Sequence, residues 1–70
     1  MKQAVMYDIY DKDGNMVRIE VTDNEGNHLF DALWDSNDEQ TSDNRIAHRQ
    51  FTKTMIKRKG YTVEIGRAHV

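Results

Sequence analysis

Asp11-Lys12-Asp13-Gly14-Asn15 and Asp23-Asn24-Glu25-Gly26-Asn27 are two copies of one pattern (acid, any residue, acid, Gly, Asn) set 12 residues apart. The leading acid suits the opening of a type I turn. The glycine suits the left-handed position that a side chain resists, so each unit has the chemistry of a short hairpin loop. Two such loops in succession predict three antiparallel strands. Before the first loop, Val5, Tyr7 and Ile9 alternate with other residues; between the loops, Val17, Ile19 and Val21 alternate with Met16, Arg18, Glu20 and Thr22. The third strand, around His28 to Trp34, is less regular. Leu29 and Leu33 share a face with Asp31, while Phe30, Ala32 and Trp34 lie opposite, a conflict that predicts a bulge or an early end.

From Asp35 to Asn44 no residue is apolar, which predicts an exposed loop leading into a helix. Ser36 with Glu39 has capping-box spacing, but Thr41, Ser42 and Asp43 offer a later cap directly before the apolar positions, and the later start is preferred. The helix then runs to Lys59, with Ala47, Phe51 and Met55 on one line and Gly60 as the stop. Asp43 at its start and Lys57, Arg58 and Lys59 at its end match the helix dipole. Tyr61, Val63 and Ile65 alternate in a final strand, and Gly66 to Val70 are compatible with its extension or with a frayed end.

The expected fold is therefore α+β: an antiparallel three-stranded meander, one helix packed on one face of the sheet, and a last strand. The more apolar row of each strand (Val5, Tyr7, Ile9, Val17, Ile19, Val21, Val63 and Ile65) is expected to meet Phe51 and Met55 in the core. Met6, Asp8, Tyr10, Met16, Arg18, Glu20 and Glu64 would then line the open face.

Seventy residues suffice for a single small domain, and 37% hydrophobic with 31% charged residues is a globular composition. The absence of cysteine excludes disulfides, thiolate metal sites and cysteine nucleophiles, and favours a reducing compartment. No run approaches the roughly 18 apolar residues of a membrane span, and Met1 to Tyr10 lack the apolar core of a signal peptide, so the expectation is a cytoplasmic protein without a membrane partner.

The formal net charge of −2 conceals a polarity along the chain. Residues 1 to 44 carry three cations against eleven acids, a net of −8; residues 45 to 70 carry seven cations against Glu64 alone, a net of +6. Arg45, Arg49, Lys53 and Lys57 follow one another at i, i+4 steps, a stripe about 18 Å long at 1.5 Å per residue. Like charges in a row repel, a cost that a polyanion, an acidic protein surface or the chain's own acids would offset. Four phosphate contacts would give a log-log salt slope of about −3.6 and a loss of roughly 150-fold between 50 and 200 mM salt. Asp31, Asp35, Asp38, Glu39 and Asp43 form the opposite feature, an acidic strip able to imitate phosphates. Trp34, just before it, is read as a cap on the core and as a candidate contact.

Glycine and glutamate are missing from the positions a calcium loop starting at Asp11 would require, and His28, His48 and His69 show no ligand spacing, so they are expected to be separate surface histidines. Ser36 and Ser42 lack the context of a nucleophile elbow. Neither an enzyme, a metal site nor a cofactor is expected. Three strands followed by a helix is a layout similar to the arm-type DNA-binding domains of integrases, with acidic strands where those domains are basic. The likeness is one of layout and carries no residue across.

Elimination leaves a small non-catalytic protein-binding module as the leading expectation, an inhibitor or accessory factor of the kind found in phages and mobile elements. Its expected contacts are Met6, Tyr10, Met16, Arg18, Trp34, Asp35, Asp38 and Glu39, with the acidic loop either steering the approach or mimicking DNA. The alternative is a nucleic-acid-binding domain using Arg45, Arg49, Lys53 and Lys57. An unpaired strand edge would also permit a homodimer.

Overall fold

The computed structural model describes residues 2–66. Four strands, β1 (Gln3–Tyr10), β2 (Met16–Asp23), β3 (His28–Leu33) and β4 (Thr62–Ile65), and one helix, α1 (Ser42–Arg58), follow in the order β1, β2, β3, α1, β4. They make an α+β architecture around a mixed sheet ordered β3-β2-β1-β4. β2 is antiparallel to β1 and to β3, while β4 lies beside β1 and parallel to it. The helix therefore links the two edges of the sheet.

Both turns are built as their shared pattern requires. Asp11 Oδ1 accepts from the amides of Asp13 (2.9 Å) and Asn15 (3.0 Å), and Asp23 Oδ1 accepts from those of Glu25 and Asn27 (both 2.9 Å). Gly14 (φ +82°) and Gly26 (φ +89°) occupy the left-handed region. At the helix start Thr41 is the N-cap, its hydroxyl accepting from the Asn44 amide at 3.1 Å, and Gly60 (φ +88°) follows the C-cap Lys59.

The faces differ from expectation. Register sets Met6 opposite Val21 and Asp8 opposite Ile19, so Ala4, Met6, Asp8 and Tyr10 share the core side, and Val5, Tyr7 and Ile9 take the other. Both rows of β1 contain apolar residues, so alternation alone could not choose between them. Met16 changes face for a second reason. Three residues from Ile19, it would point oppositely in a regular strand, but a bulge near the β1–β2 turn skips Val17 and pairs Met16 with Tyr10. Met6 (2% exposed) and Met16 (1%) thus lie in the core with Ala4, Ile19, Val21, Ala32 and Ile56. Val17, expected inside, is exposed. The bulge expected in the third strand occurs between Val21 and Thr22 of its partner, where Leu29 is passed over.

The helix is also rotated from its expected setting. Thr52 and Ile56 are buried, Met55 is half-buried, and Phe51 is 59% exposed. Polar contacts account for the rotation: His48 Nε2 donates to the Ala32 carbonyl (2.9 Å) and Arg49 Nε to Asp8 (2.9 Å), which turns the His48–Thr52–Ile56 line inward. The Thr52 hydroxyl is satisfied by the His48 carbonyl at 2.8 Å. On β4, Val63 and Ile65 share the core side by register, yet Val63 is only half-buried and Ile65 stays exposed at the sheet edge. Extension of the last strand beyond Gly66 lies outside the described residues.

Gly66 follows β4 beneath the Tyr7 ring, where a Cβ would collide with Tyr7 Cε1 and stand 2.6 Å from its Cδ1 and 2.9 Å from the Met6 carbonyl oxygen. Gly66→Ala should destabilise the protein by about 1–3 kcal/mol through overpacking against this neighbour and the β1 backbone. Urea unfolding is the measurement, and an unchanged midpoint would show that the Tyr7–Gly66 packing is not formed.

Candidate functional site

The face of the sheet opposite the buried cluster carries three cross-strand rows. Ile9, Arg18 and Leu33 form the first, Tyr7, Glu20 and Asp31 the second, and Val5, Thr22 and His28 the third, with Glu64 beside Val5. Val5, Tyr7 and Ile9 make a half-exposed apolar column in the middle of the sheet, and Leu33, 72% exposed, adds an apolar side chain at the β3 edge. Arg18 Nε lies 3.5 Å from Asp31 Oδ1. His28 stands between two carboxylates, with Nδ1 3.4 Å from Glu20 Oε2 and Nε2 3.8 Å from Asp31 Oδ2.

Of the expected contacts, Asp35, Asp38 and Glu39 are exposed, and Arg18 and Trp34 are half-buried. The Trp34 ring meets the His48 ring edge-on, with centroids 5.3 Å apart, and its Nε1 donates to the Asp38 carbonyl at 3.1 Å. Met6 and Met16, expected on the open face, are buried in the core instead. Tyr10, also expected on the open face, faces the helix, where its hydroxyl accepts from Arg49 Nη2 at 3.2 Å and donates to Asp8 Oδ2 at 3.3 Å.

The acidic segment is a held turn. Gln40 reaches across 24 residues to Met16, donating from Nε2 to its carbonyl and accepting its amide at Oε1, both at 2.9 Å. This pairing imitates one step of a β-ladder at the bulged end of β2. Asp38 donates its amide to the Asp35 carbonyl, and Asn44 Nδ2 donates to that of Glu39. Among the described residues, Asp11, Asp13, Asp35, Asp38 and Glu39 form no ion pair. A groove of about 300 Å³ separates the first turn from this loop, with Val17 and Trp34 in its lining and Asp11 and Asp38 among its acids.

The basic stripe does not form one face. Each i+4 step advances about 40° around a helix of 3.6 residues per turn, so the three steps from Arg45 to Lys57 wind from the sheet towards solvent. Arg45 Nη1 donates to the Gln40 carbonyl at 2.6 Å. Arg49 Nη2 lies 2.8 Å from Asp8 Oδ2, and this carboxylate raises the guanidinium pKa above its ordinary value against the opposing effect of burial. Lys53 is half-buried and Lys57 exposed. Lys59 Nζ sits 5.5 Å from the Phe30 ring centroid.

The Glu20–His28–Asp31 cluster was not legible as ligand spacing because its members come from two strands. The signal was the second turn, whose register brings positions 20 and 31 face to face. His48 is a structural donor, and His69 lies outside the described residues.

Gln40→Ala would leave the Met16 amide and carbonyl without these partners, at a cost of about 1–3 kcal/mol; guanidinium unfolding unchanged from wild type would show that the tether carries no stability. Hydrogen bonding from Asn27, first through its side chain, holds the Asp23 carboxyl below its ordinary pKa. This contribution to stability is complete above the ordinary carboxylate pKa and is lost as pH falls through the lowered folded value. In a carboxyl-carbon NMR titration, Asp23 should have a depressed midpoint that Asn27→Ala moves back up. An ordinary midpoint in wild type would remove the Asn27 contact from this account. Compared with known proteins, the chain matches no family model, no curated protein and no solved structure, so the functional reading rests on geometry.

Proposed function

We propose that the protein is a small non-catalytic binding module that docks on a partner protein through the sheet face opposite its helix, with the neighbouring acidic loop steering the approach. In this reading the helix closes one side of the three-stranded meander and leaves the other for the partner. The apolar column Val5, Tyr7 and Ile9, outside the buried cluster, with Leu33 exposed beyond Arg18 at the β3 edge, is the observation that carries it. Monomeric proteins seldom leave contiguous apolar surface without a use, and such a column flanked by charged residues suits a protein interface. The carboxylates of Asp35, Asp38 and Glu39, at the end of the sheet where Leu33 lies, specify a complement: an apolar strip bordered by Lys or Arg. Action as an inhibitor or accessory factor would follow if that strip is the partner's own working surface.

The nucleic-acid alternative keeps a smaller footprint. With Arg45 and Arg49 engaged inside the chain, Lys53 and Lys57 remain from the stripe. Two phosphate contacts imply a salt slope of about −1.8 and a loss of roughly 12-fold between 50 and 200 mM salt.

A partner captured from the source cells should be purified and titrated with wild type, Leu33→Glu, Ile9→Glu and the pair Lys53→Glu/Lys57→Glu, after circular dichroism has shown each variant folded. Leu33→Glu and Ile9→Glu should each weaken binding at least tenfold, and the lysine pair should leave it unchanged. Binding insensitive to both sheet variants would overturn the proposal. Oligonucleotide binding lost in the lysine pair would establish the alternative in its place.

A further inference from the structure

We propose that Glu20, His28 and Asp31 form a binding site for one divalent transition-metal ion of the Zn²⁺ class on the exposed side of β2 and β3. The inference is independent of the partner reading and concerns the isolated chain. Glu20 and Asp31 are direct cross-strand partners, an arrangement of like charges that ordinarily destabilises a sheet. A bulge then adds the third group. In unbroken register Leu29 would stand opposite Thr22 on this face and His28 would point away; because Leu29 is passed over, His28 pairs with Thr22 and its ring comes between the carboxylates. Bulges often re-aim a side chain in this way.

One donor atom from each residue lies within 4.8 Å of the others, and His28 Nδ1 is 3.4 Å from Glu20 Oε2. Two ligands at roughly 2.1 Å from a tetrahedral ion stand about 3.4 Å apart, so the His28–Glu20 pair already has the separation that such an ion requires. Asp31 is exposed and can turn its Oδ2, now 3.8 Å from His28 Nε2, towards the same ion. One imidazole and two carboxylates suit a borderline cation with water in its remaining positions. Ca²⁺ takes six to eight oxygen ligands, and Mg²⁺ demands near-ideal octahedral oxygen geometry, so neither is the expected ion. Arg18, 3.5 Å from Asp31 Oδ1, opposes the charge of the ion and lowers its affinity.

The test is Zn²⁺ titration of the isolated protein by calorimetry and by ¹H–¹⁵N spectra that include the histidine ring nitrogens. Binding of one equivalent should shift a His28 ring nitrogen together with the amides around Glu20 and Asp31. His28→Ala and the pair Glu20→Gln/Asp31→Asn should each weaken it at least tenfold, and Arg18→Ala should strengthen it. These are surface changes, and circular dichroism checks that each variant folds. No saturable binding up to millimolar Zn²⁺, or binding that His28→Ala leaves intact, overturns the proposal; the second outcome would assign the metal to other residues.

Discussion

The Asp11 side chain ties down two backbone amides in the first turn and Asp23 does the same in the second, and the loop lengths they hold set the pairing of residues across β1, β2 and β3. A slip of one residue in either hairpin would move a whole row of side chains to the other face. Two bulges use this sensitivity locally. One returns Met16 to the core side of β2, and the other brings His28 to the opposite side of β3. The contents of both faces thus follow from two carboxylates in turns and two skipped residues.

On this frame the helix is docked as much by polar contacts as by apolar ones. Only Thr52 and Ile56 of its 17 residues are buried, and Thr52 satisfies its hydroxyl within the helix. Orientation comes from its flanks, where His48 reaches the Ala32 carbonyl and Arg49 reaches Asp8 and Tyr10. Charged hydrogen bonds are directional, so they fix a rotation that a thin apolar stripe would leave loose. The consequence for function is a division of the basic residues: the two nearest the helix start hold the fold together, and those near its end meet solvent.

Element positions were legible in the sequence because they rest on local chemistry. The acid-to-asparagine repeats placed both turns, Thr41 and Gly60 bounded the helix, and alternation marked the last strand. The faces of β1 were not legible, since Val5, Tyr7 and Ile9 form a more apolar row than Ala4, Met6, Asp8 and Tyr10. What reversed them was pairing with Ile19 and Val21, a non-local fact. The inward line of the helix was hidden for a related reason: apolarity selected Ala47, Phe51 and Met55, but the partners of His48 and Arg49 lie 16 and 41 residues away. Of the residues expected at the surface, those in the acidic loop stay there because a segment without apolar residues has nothing to bury. The methionines do not, because apolar side chains can serve a core or an interface equally well.

The thinness of the core bears on the partner reading. Its buried hydrophobic residues include two alanines and two methionines, while Val5, Tyr7, Ile9 and Leu33 stay partly or largely in water. Apolar area contributes about 25 cal/mol per Å² when removed from water, and a chain of this length can bury only about 60% of what its unfolded form exposes. Further burial is therefore more accessible to this domain by association than by folding. On the protein-binding reading, a partner covering the β1 column would stabilise the module by mass action, and the uncompensated acids beside Leu33 would favour partners bearing cations there. Affinity and fold stability would then draw on the same apolar side chains, so the surface needed for docking is also surface the small core is least able to cover.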